Sequence, residues 1–197
     1  QNRGGIAGFP AGGHWPPPPA THFPKAGGPP AKNPFDRISC SPDFAILVYP
    51  VVTMGEFTHT GSKRNLLGEN PDQKWIDHFS NEKRVTKETP PIFMAHAVDD
   101  RPVPPENSRM LYAALQKKNI PSKYMELPDG GHGLNGYKGQ SWDAWQKGSI
   151  QWLLEIGILS KWDVRYNPQG CMKRAKKAQD YVNSLNQKCI GTLEENF

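Results

Sequence analysis

Short apolar runs separated by polar or glycine-rich stretches are the main pattern along the chain. The clearest run, DFAILVYPVV at residues 43–52, is rich in β-branched and aromatic residues, and IFMAHA at 92–97 is a second. Shorter runs occupy residues 4–9 and 123–127. Runs of this length and composition are typical of buried strands, so the pattern predicts four β-strands.

Two later segments place apolar residues on one helical face instead. After Pro104 and Pro105, the spacing predicts a helix that ends near Asn119 and buries Met110, Leu111, Ala114 and Leu115. A second helix is predicted over residues 141–156, with one face formed by Trp142, Trp145, Ser149, Trp152, Leu153 and Ile156. Residues 53–89 are polar and mixed, and they predict a surface excursion with a short helix that packs through Trp75, Ile76 and Phe79.

The order of these elements indicates the fold class. Strands that alternate with helices predict an α/β domain with a mostly parallel sheet and helices on both of its faces. In such sheets, the loops that follow the carboxyl ends of the strands carry the function. We therefore expect the chemistry of this chain in the loops after the runs at 4–9, 92–97 and 123–127.

Composition excludes several classes of protein. A chain of 197 residues with 36% hydrophobic residues is long enough for one domain with a packed core. The three cysteines, Cys40, Cys171 and Cys189, lack C-x-x-C spacing, so neither a metal site nor a redox motif is predicted. There is no apolar run of about 18 residues, and no membrane span is predicted.

Basic residues are concentrated in one part of the chain. The net charge is +5, and Lys and Arg cluster in residues 161–177. A basic helical tail is predicted over residues 163–197, and its charge is typical of a solvated helix face, because no aromatic-and-glycine RNA motif accompanies it. The chain begins without Met, so we expect that it starts within a longer protein.

Three loops at predicted strand ends carry groups in the order nucleophile, acid, histidine. Residues 8–12 (GFPAG) have the spacing of a nucleophile elbow, G-x-S-x-G, with Pro10 in place of the serine. Asp99 and Asp100 follow the strand predicted from IFMAHA, and His132 lies in a GGHG loop. Serine hydrolases need this set, because a base must take the serine proton and a carboxylate must orient the imidazole.

Four stretches of the chain are similar to one known family. They are DFAILVYPVV, NLLGENP, TPPIFMAHAVDDRPVPPENSRMLYAAL and YMELPDGGHGLNG. From about Gly5 to Leu159, the chain resembles the C-terminal half of bacterial esterases and acetyl xylan esterases in the dienelactone-hydrolase-like part of the α/β-hydrolase superfamily. The resemblance implies an α/β-hydrolase fold, with residues 1–162 as the C-terminal part of the domain and the first strands absent from this chain.

The same resemblance implies roles for individual residues. Asp100 matches the family's acid in the pattern His-Ala-x-x-Asp-x-x-Val-Pro, and His132 matches its base. Pro10 stands at the nucleophile position of an elbow that reads G-F-S-A-G-G-H-L in the family, and the N–H of Ala11 corresponds to an oxyanion donor. No metal and no cofactor is implied.

Structural interpretations compete with these roles. A turn would also explain Asp100, and Asp99 is a competing acid. A tight glycine-rich turn would also explain His132. We interpret His96, on a predicted strand, as a hydrogen-bonded core residue, and His14 as structural. The tryptophan stripe is interpreted as core rather than as a sugar-binding platform.

Pro10 conflicts with the elbow geometry. The elbow holds its central residue at positive φ, whereas proline fixes φ near −65°. Four prolines at residues 16–19 also interrupt the helix that follows the elbow in the family. Evolved loss of activity and a misread or degraded stretch of sequence both explain Pro10, since serine, threonine and alanine codons each become a proline codon by one base change. The misread or degraded stretch is favoured, because the conflict extends over a whole helix.

The implied function is that of a serine carboxylesterase or deacetylase acting on acetyl or short acyl esters, with acetylated xylan as one such substrate and with the nucleophile missing. A catalytically inactive binding protein and a serine peptidase of the prolyl-oligopeptidase type are the alternatives. The expected partner is a small-molecule or polysaccharide ester, with no nucleic acid and no membrane. The family resemblance is compatible with a secreted or periplasmic location, while the ester, the compartment and the oligomeric state are not determined by the sequence.

Overall fold

The computed structural model describes residues 4–9 and 42–160. Within these ranges the strands are β1 (Gly5–Gly8), β2 (Phe44–Val48), β3 (Ile92–Ala97) and β4 (Ser122–Leu127). The helices are α1 (Thr60–Leu67), α2 (Gln73–Phe79), α3 (Glu106–Lys117), the single turn α4 (Leu134–Tyr137) and α5 (Gln140–Glu155). A 3-10 turn spans Asn81–Lys83.

The described strands form one parallel sheet in the order β1-β2-β3-β4. The register places Ala95 of β3 between Val48 of β2 and Met125 of β4. All six residues of β3 are buried, as expected of an interior parallel strand that is covered on both faces. Because the strands are parallel, their carboxyl ends meet at one edge of the sheet.

Helices cover both faces of this sheet. Consecutive residues of a strand point to opposite faces. Met94 belongs to a core cluster that includes Leu111 and Leu115 of α3. Its neighbour Phe93 packs against Trp152 of α5, with ring centroids 5.9 Å apart. The predicted α/β architecture, with a parallel sheet between helices, is therefore confirmed.

The second strand is shorter than the apolar run that predicts it. β2 ends at Val48, although the run continues to residue 52. Tyr49 has a φ of 44°, which lies in the left-handed region and ends the extended conformation. The apolar residues beyond this point, such as Val52, are still buried, so hydrophobicity alone does not mark the end of the strand.

The excursion over residues 53–89 contains more helix than predicted. The additional helix α1 is mostly polar, and the Nδ1 atom of His59 caps it by accepting the N–H of Ser62 at 3.2 Å. The predicted short helix is present as α2, but Trp75 is 48% exposed rather than packed on the core. A mostly polar, capped helix gives no apolar period, and this is why the pattern missed α1.

The chain divides into two compact units, Gln1–Ile156 and Gly157–Phe197. The strands and helices described above all belong to the first unit. The predicted boundary at residue 162 and the basic helical tail over 163–197 lie outside the described residues, so both stay predictions. No helix in the described ranges is both long enough and apolar enough to cross a bilayer.

One buried amide joins the loop after β2 to the start of α3. The Oδ1 atom of Asn107 accepts the N–H groups of Val52 and Thr53 at 2.8 and 3.0 Å. Its Nδ2 atom donates to the carbonyl oxygens of Phe57 and Pro104 at 2.7 and 3.0 Å. Asn107 is completely buried, and all four of its hydrogen-bonding positions are therefore satisfied by backbone.

We expect Asn107→Ala to lower the free energy of unfolding by about 2–4 kcal/mol, because it leaves several buried backbone groups without partners. Urea denaturation followed by circular dichroism measures this difference. The exposed Asn70 provides a matched control, and Asn70→Ala should change stability by less than about 0.5 kcal/mol. Equal effects of the two substitutions would show that the bonds of Asn107 are not important for stability.

Candidate active site

The loops after β3 and β4 bring two of the candidate residues into contact. The Nδ1 atom of His132 lies 2.9 Å from Oδ2 of Asp100, although the residues are 32 positions apart in the chain. A carboxylate can only accept, so Nδ1 carries the proton and the basic lone pair of the neutral imidazole is on Nε2. The side chain of His132 is 29% exposed, whereas that of Asp100 is fully buried.

The Asp100 carboxylate is held by three donors. Besides the His132 contact, its Oδ1 atom accepts the N–H of Val103 at 3.0 Å, and Nε2 of His96 lies 3.3 Å from Oδ2. Burial by itself would raise the pKa of Asp100, but the hydrogen bonds from His132, His96 and Val103 outweigh it and hold the pKa well below its usual range. Asp100 is therefore ionised in the folded protein at neutral pH.

The neighbouring carboxylate has a different partner. The Oδ1 atom of Asp99 accepts the N–H of Gly131 at 2.8 Å. This bond braces the loop after β3 against the loop that carries His132. The two adjacent acids therefore have different partners, and the contact with the imidazole belongs to Asp100, the acid that the family pattern indicates, while Asp99 contacts the backbone beside it.

The backbone that follows His132 has an unusual conformation. Gly133 and the four residues of α4 all have positive φ, with values of 89° for Gly133, 46° for Leu134, 58° for Asn135, 68° for Gly136 and 67° for Tyr137. A left-handed turn is unfavourable for residues other than glycine. The Leu134 side chain is completely buried and anchors the turn to the interior. Strain of this kind persists where the surrounding structure holds it, and it is concentrated at functional sites.

Aromatic rings connect His132 to the end of β1. The Tyr49 ring lies edge-on to the His132 ring, with centroids 4.9 Å apart. Phe9, directly before Pro10, contacts Tyr49 at 6.2 Å and also the rings of Trp142 and Trp145 at 6.0 and 5.6 Å. Phe9, the residue before the predicted nucleophile position, therefore belongs to the same aromatic cluster as His132.

Tyr49 is a site residue that the sequence did not reveal. Its ring is buried, and its hydroxyl has no hydrogen-bond partner among the described residues. Burial, followed by the proximity of Tyr137, raises the pKa of Tyr49 far above its usual value. A tyrosine with positive φ at the end of a strand has no signal in the hydrophobic pattern, where Tyr49 counts only as one more strand residue.

The other sequence candidates have different outcomes. His96 is a buried, hydrogen-bonded residue, as predicted, and its contact with Asp100 was not predicted. Pro10, Ala11 and His14 lie outside the described residues, so the nucleophile position and the oxyanion donor stay predictions. In the part of the chain that the structure describes, no group of three or more potential metal ligands comes together.

The model of the prolyl oligopeptidase family matches residues 43–157, which include the loops of Asp100 and His132. The chain is 40% identical over 144 residues to endo-1,4-beta-xylanase B of Butyrivibrio fibrisolvens, and this alignment covers 73% of the chain and 22% of that protein. It is 32% identical over 161 residues to the acetylxylan esterase of Xylanibacter ruminicola, which covers 79% of the chain and 30% of that protein.

A solved structure has the same fold. The acetyl ester-xyloside bifunctional hydrolase of Caldicellulosiruptor lactoaceticus is 39% identical, with a TM-score of 0.72. The alignment covers 79% of this chain and 57% of that one, and the chain spans less than a third of the two curated relatives. By its family match, its parallel sheet and the position of its strand-end loops, this chain belongs to the prolyl oligopeptidase family and has an α/β-hydrolase fold.

Proposed function

We propose that this protein is an esterase-type hydrolase in which Asp100 and His132 form the acid–base pair for acyl transfer. The 2.9 Å hydrogen bond between Nδ1 of His132 and the buried carboxylate of Asp100 carries the proposal. It joins a partly exposed base to a buried, ionised acid at the carboxyl edge of a parallel sheet. That arrangement lets the imidazole accept a proton on Nε2 while the carboxylate stabilises the cation that forms.

The complete reaction needs a nucleophile and an oxyanion donor beside this pair. A serine at position 10 would give its proton to Nε2 of His132 and attack the ester carbonyl, and His132 would then protonate the leaving alcohol. The N–H of Ala11 would stabilise the negative oxygen of the tetrahedral intermediate. Pro10 has no hydroxyl group, so the sequence as it stands lacks the attacking atom.

The relatives support an acetyl ester of xylan or of a xyloside as the substrate. Two of them are an acetylxylan esterase and an acetyl ester-xyloside bifunctional hydrolase, at 32% and 39% identity. The protein at 40% identity is a xylanase. A prolyl peptidase is the alternative that the family name suggests. We favour the ester because the relatives with the highest identity here are named for xylan and acetyl esters.

Pro10 itself favours a second candidate, a binding protein of the hydrolase fold without activity. In that case the Asp100–His132 pair and its aromatic surroundings would bind an acetylated sugar without cleaving it. Isothermal titration of the unmodified protein with an acetylated xylo-oligosaccharide tests this candidate. Absence of any binding heat would leave it without support.

The esterase proposal predicts that Pro10→Ser, made in the full-length protein, restores acyl transfer. Mixing this variant with p-nitrophenyl acetate should release a burst of p-nitrophenol equal to the enzyme concentration, because the serine becomes acetylated before water removes the acetyl group. Pro10→Ala is the matched control, since it removes the proline ring without adding a hydroxyl group. It should give no burst.

In the Pro10→Ser background, His132→Ala should lower kcat/KM by a factor of about 10²–10⁴, because it removes the general base. Asp99→Asn is the control in the neighbouring loop and should have a much smaller effect. Failure of Pro10→Ser to form an acyl-enzyme, with the protein folded, would contradict the proposal.

A panel of substrates tests the proposed specificity. The Pro10→Ser variant should release acetate from acetylated xylo-oligosaccharides and from p-nitrophenyl acetate, and it should not cleave a prolyl peptide anilide. Acetate is measured by an enzyme-coupled assay and the anilide by its absorbance. Faster cleavage of the anilide would favour the peptidase alternative.

The pKa of Asp100 predicts a pH-dependent contribution to stability. The folded-state pKa lies below the unfolded value of 3.8, so the carboxylate stabilises the fold above that pH and the stabilisation is lost as the pH falls through the folded-state pKa. Asp100→Asn should therefore destabilise the protein more at pH 5 than at pH 3. Urea unfolding at the two pH values measures the difference, and Asp99→Asn is the control. An equal loss at both would contradict the low pKa.

A further inference from the structure

His96 lies near the end of β3, four residues before Asp100, and its side chain is completely buried. Its ring contacts three different groups. Nε2 is 2.9 Å from the carbonyl oxygen of Val103 and 3.3 Å from Oδ2 of Asp100, and Nδ1 is 2.8 Å from Oγ of Ser108. The acid–base scheme above uses Asp100 and His132 but gives His96 no role.

The partners of Nε2 determine where the ring carries a proton. A carbonyl oxygen and a carboxylate oxygen are both acceptors. Nε2 of His96 therefore carries a hydrogen, which points to the Val103 carbonyl and makes a second, longer contact with Asp100.

Ser108 determines the state of the other nitrogen. The Ser108 side chain is completely buried, and among the described residues its hydroxyl makes its hydrogen bond with Nδ1 of His96. A proton on Nδ1 would leave the hydroxyl hydrogen of Ser108 without that acceptor and would place a second full charge in the interior. With Nδ1 unprotonated, the Ser108 hydroxyl donates to it and every donor of the group has a partner.

We propose that His96 is a positioning residue for the acid–base pair: a neutral imidazole, held in its Nε2–H form by Ser108, that fixes the Asp100 carboxylate for His132. Its effect on catalysis depends on the function proposed above, whereas its protonation state does not. The carboxylate then has a donor on Oδ1 from Val103, a hydrogen bond on Oδ2 from His132 at 2.9 Å and a longer contact on Oδ2 from Nε2 of His96 at 3.3 Å.

Neutrality of His96 is the important part of this arrangement. A cationic His96 would cancel the charge of Asp100 and weaken its stabilisation of a His132 imidazolium. A neutral donor restricts rotation of the carboxylate and leaves its full charge for His132. Among the described residues, Glu126, the register partner of His96 on β4, is another charged group near it, and the guanidinium of Arg109 pairs with the Glu126 carboxylate at 2.8 Å.

The first test measures the protonation of His96 directly. Nitrogen-15 NMR of the histidine-labelled protein, with the His96 signals assigned by their loss in His96→Gln, should show a hydrogen on Nε2 and a bare Nδ1 at neutral pH. A hydrogen on both nitrogens, or on Nδ1 alone, would overturn the proposal. The measurement is made on the unmodified protein and does not depend on enzymatic turnover; the His96→Gln variant serves only to assign the signals.

The second test separates positioning from general stability, in the Pro10→Ser background. His96→Phe should lower kcat by about 10- to 100-fold and leave KM within about twofold, because the carboxylate loses a donor. His96→Gln, whose amide N–H can replace Nε2–H, should recover most of the loss.

His59 offers a matched control, because its Nδ1 atom also lies 2.8 Å from a serine oxygen, that of Ser62, at the start of α1. His59→Phe is expected to lower stability without changing kcat. Equal kcat values for Pro10→Ser with and without His96→Phe would overturn the positioning role.

Failure of the proposed function is distinguishable from failure of this inference. If Pro10→Ser forms no acyl-enzyme, the esterase proposal is wrong. The positioning role of His96 is then tested without turnover, by the NMR signal of the His132 Nδ1 proton that is hydrogen-bonded to Asp100. That signal should be present in the unmodified protein and should shift or broaden in His96→Phe but not in His59→Phe. An unchanged signal would contradict the inference.

Discussion

The buried carboxylate of Asp100 is the group on which the arrangement of the site depends. Removing an ionised carboxylate from water is unfavourable unless donors replace the lost hydration. Here the donors come from a backbone N–H of Val103 and from two imidazoles, His96 and His132. His96 lies on β3, Val103 on the loop before α3 and His132 on the loop after β4. The contacts to the Asp100 carboxylate therefore hold the ends of two strands and the start of a helix together.

Other polar contacts brace the same edge of the sheet. Asp99 joins the loop after β3 to the loop that carries His132, and Asn107 joins the start of α3 to the loop after β2. Each uses side-chain atoms to satisfy backbone groups that have left regular structure. The loops at this edge are therefore held by hydrogen bonds, buried at Asn107 and exposed at Asp99, and not by hydrophobic packing alone, which suits a site whose atoms must keep fixed distances.

Unfavourable backbone conformations are found at the same edge. Tyr49 has positive φ, and so do all the residues from Gly133 to Tyr137. The Tyr49 ring packs against the His132 ring, and the Leu134 side chain is buried in the interior. This packing compensates for the strain. Under the proposed function, the Asp100–His132 hydrogen bond supplies the proton-transfer half of the site, and the sequence has proline instead of serine at the proposed nucleophile position.

The sequence by itself determined the α/β class, the four strands, the two long helices and the candidates Asp100 and His132. The fold class and the elements follow from apolar period, and the loops that carry the candidates follow from the rule that parallel strands present their loops at one edge; both are local or topological properties. The choice of Asp100 and His132 within those loops follows from motifs that resemble the esterase family. The family pattern indicated Asp100, but only the tertiary structure showed that Asp100 contacts the imidazole and Asp99 the backbone, since adjacent residues share a loop and differ in the direction of their side chains. It also revealed the contacts of Tyr49 and His96, because these partners lie on separate strands and helices and meet only when the elements pack.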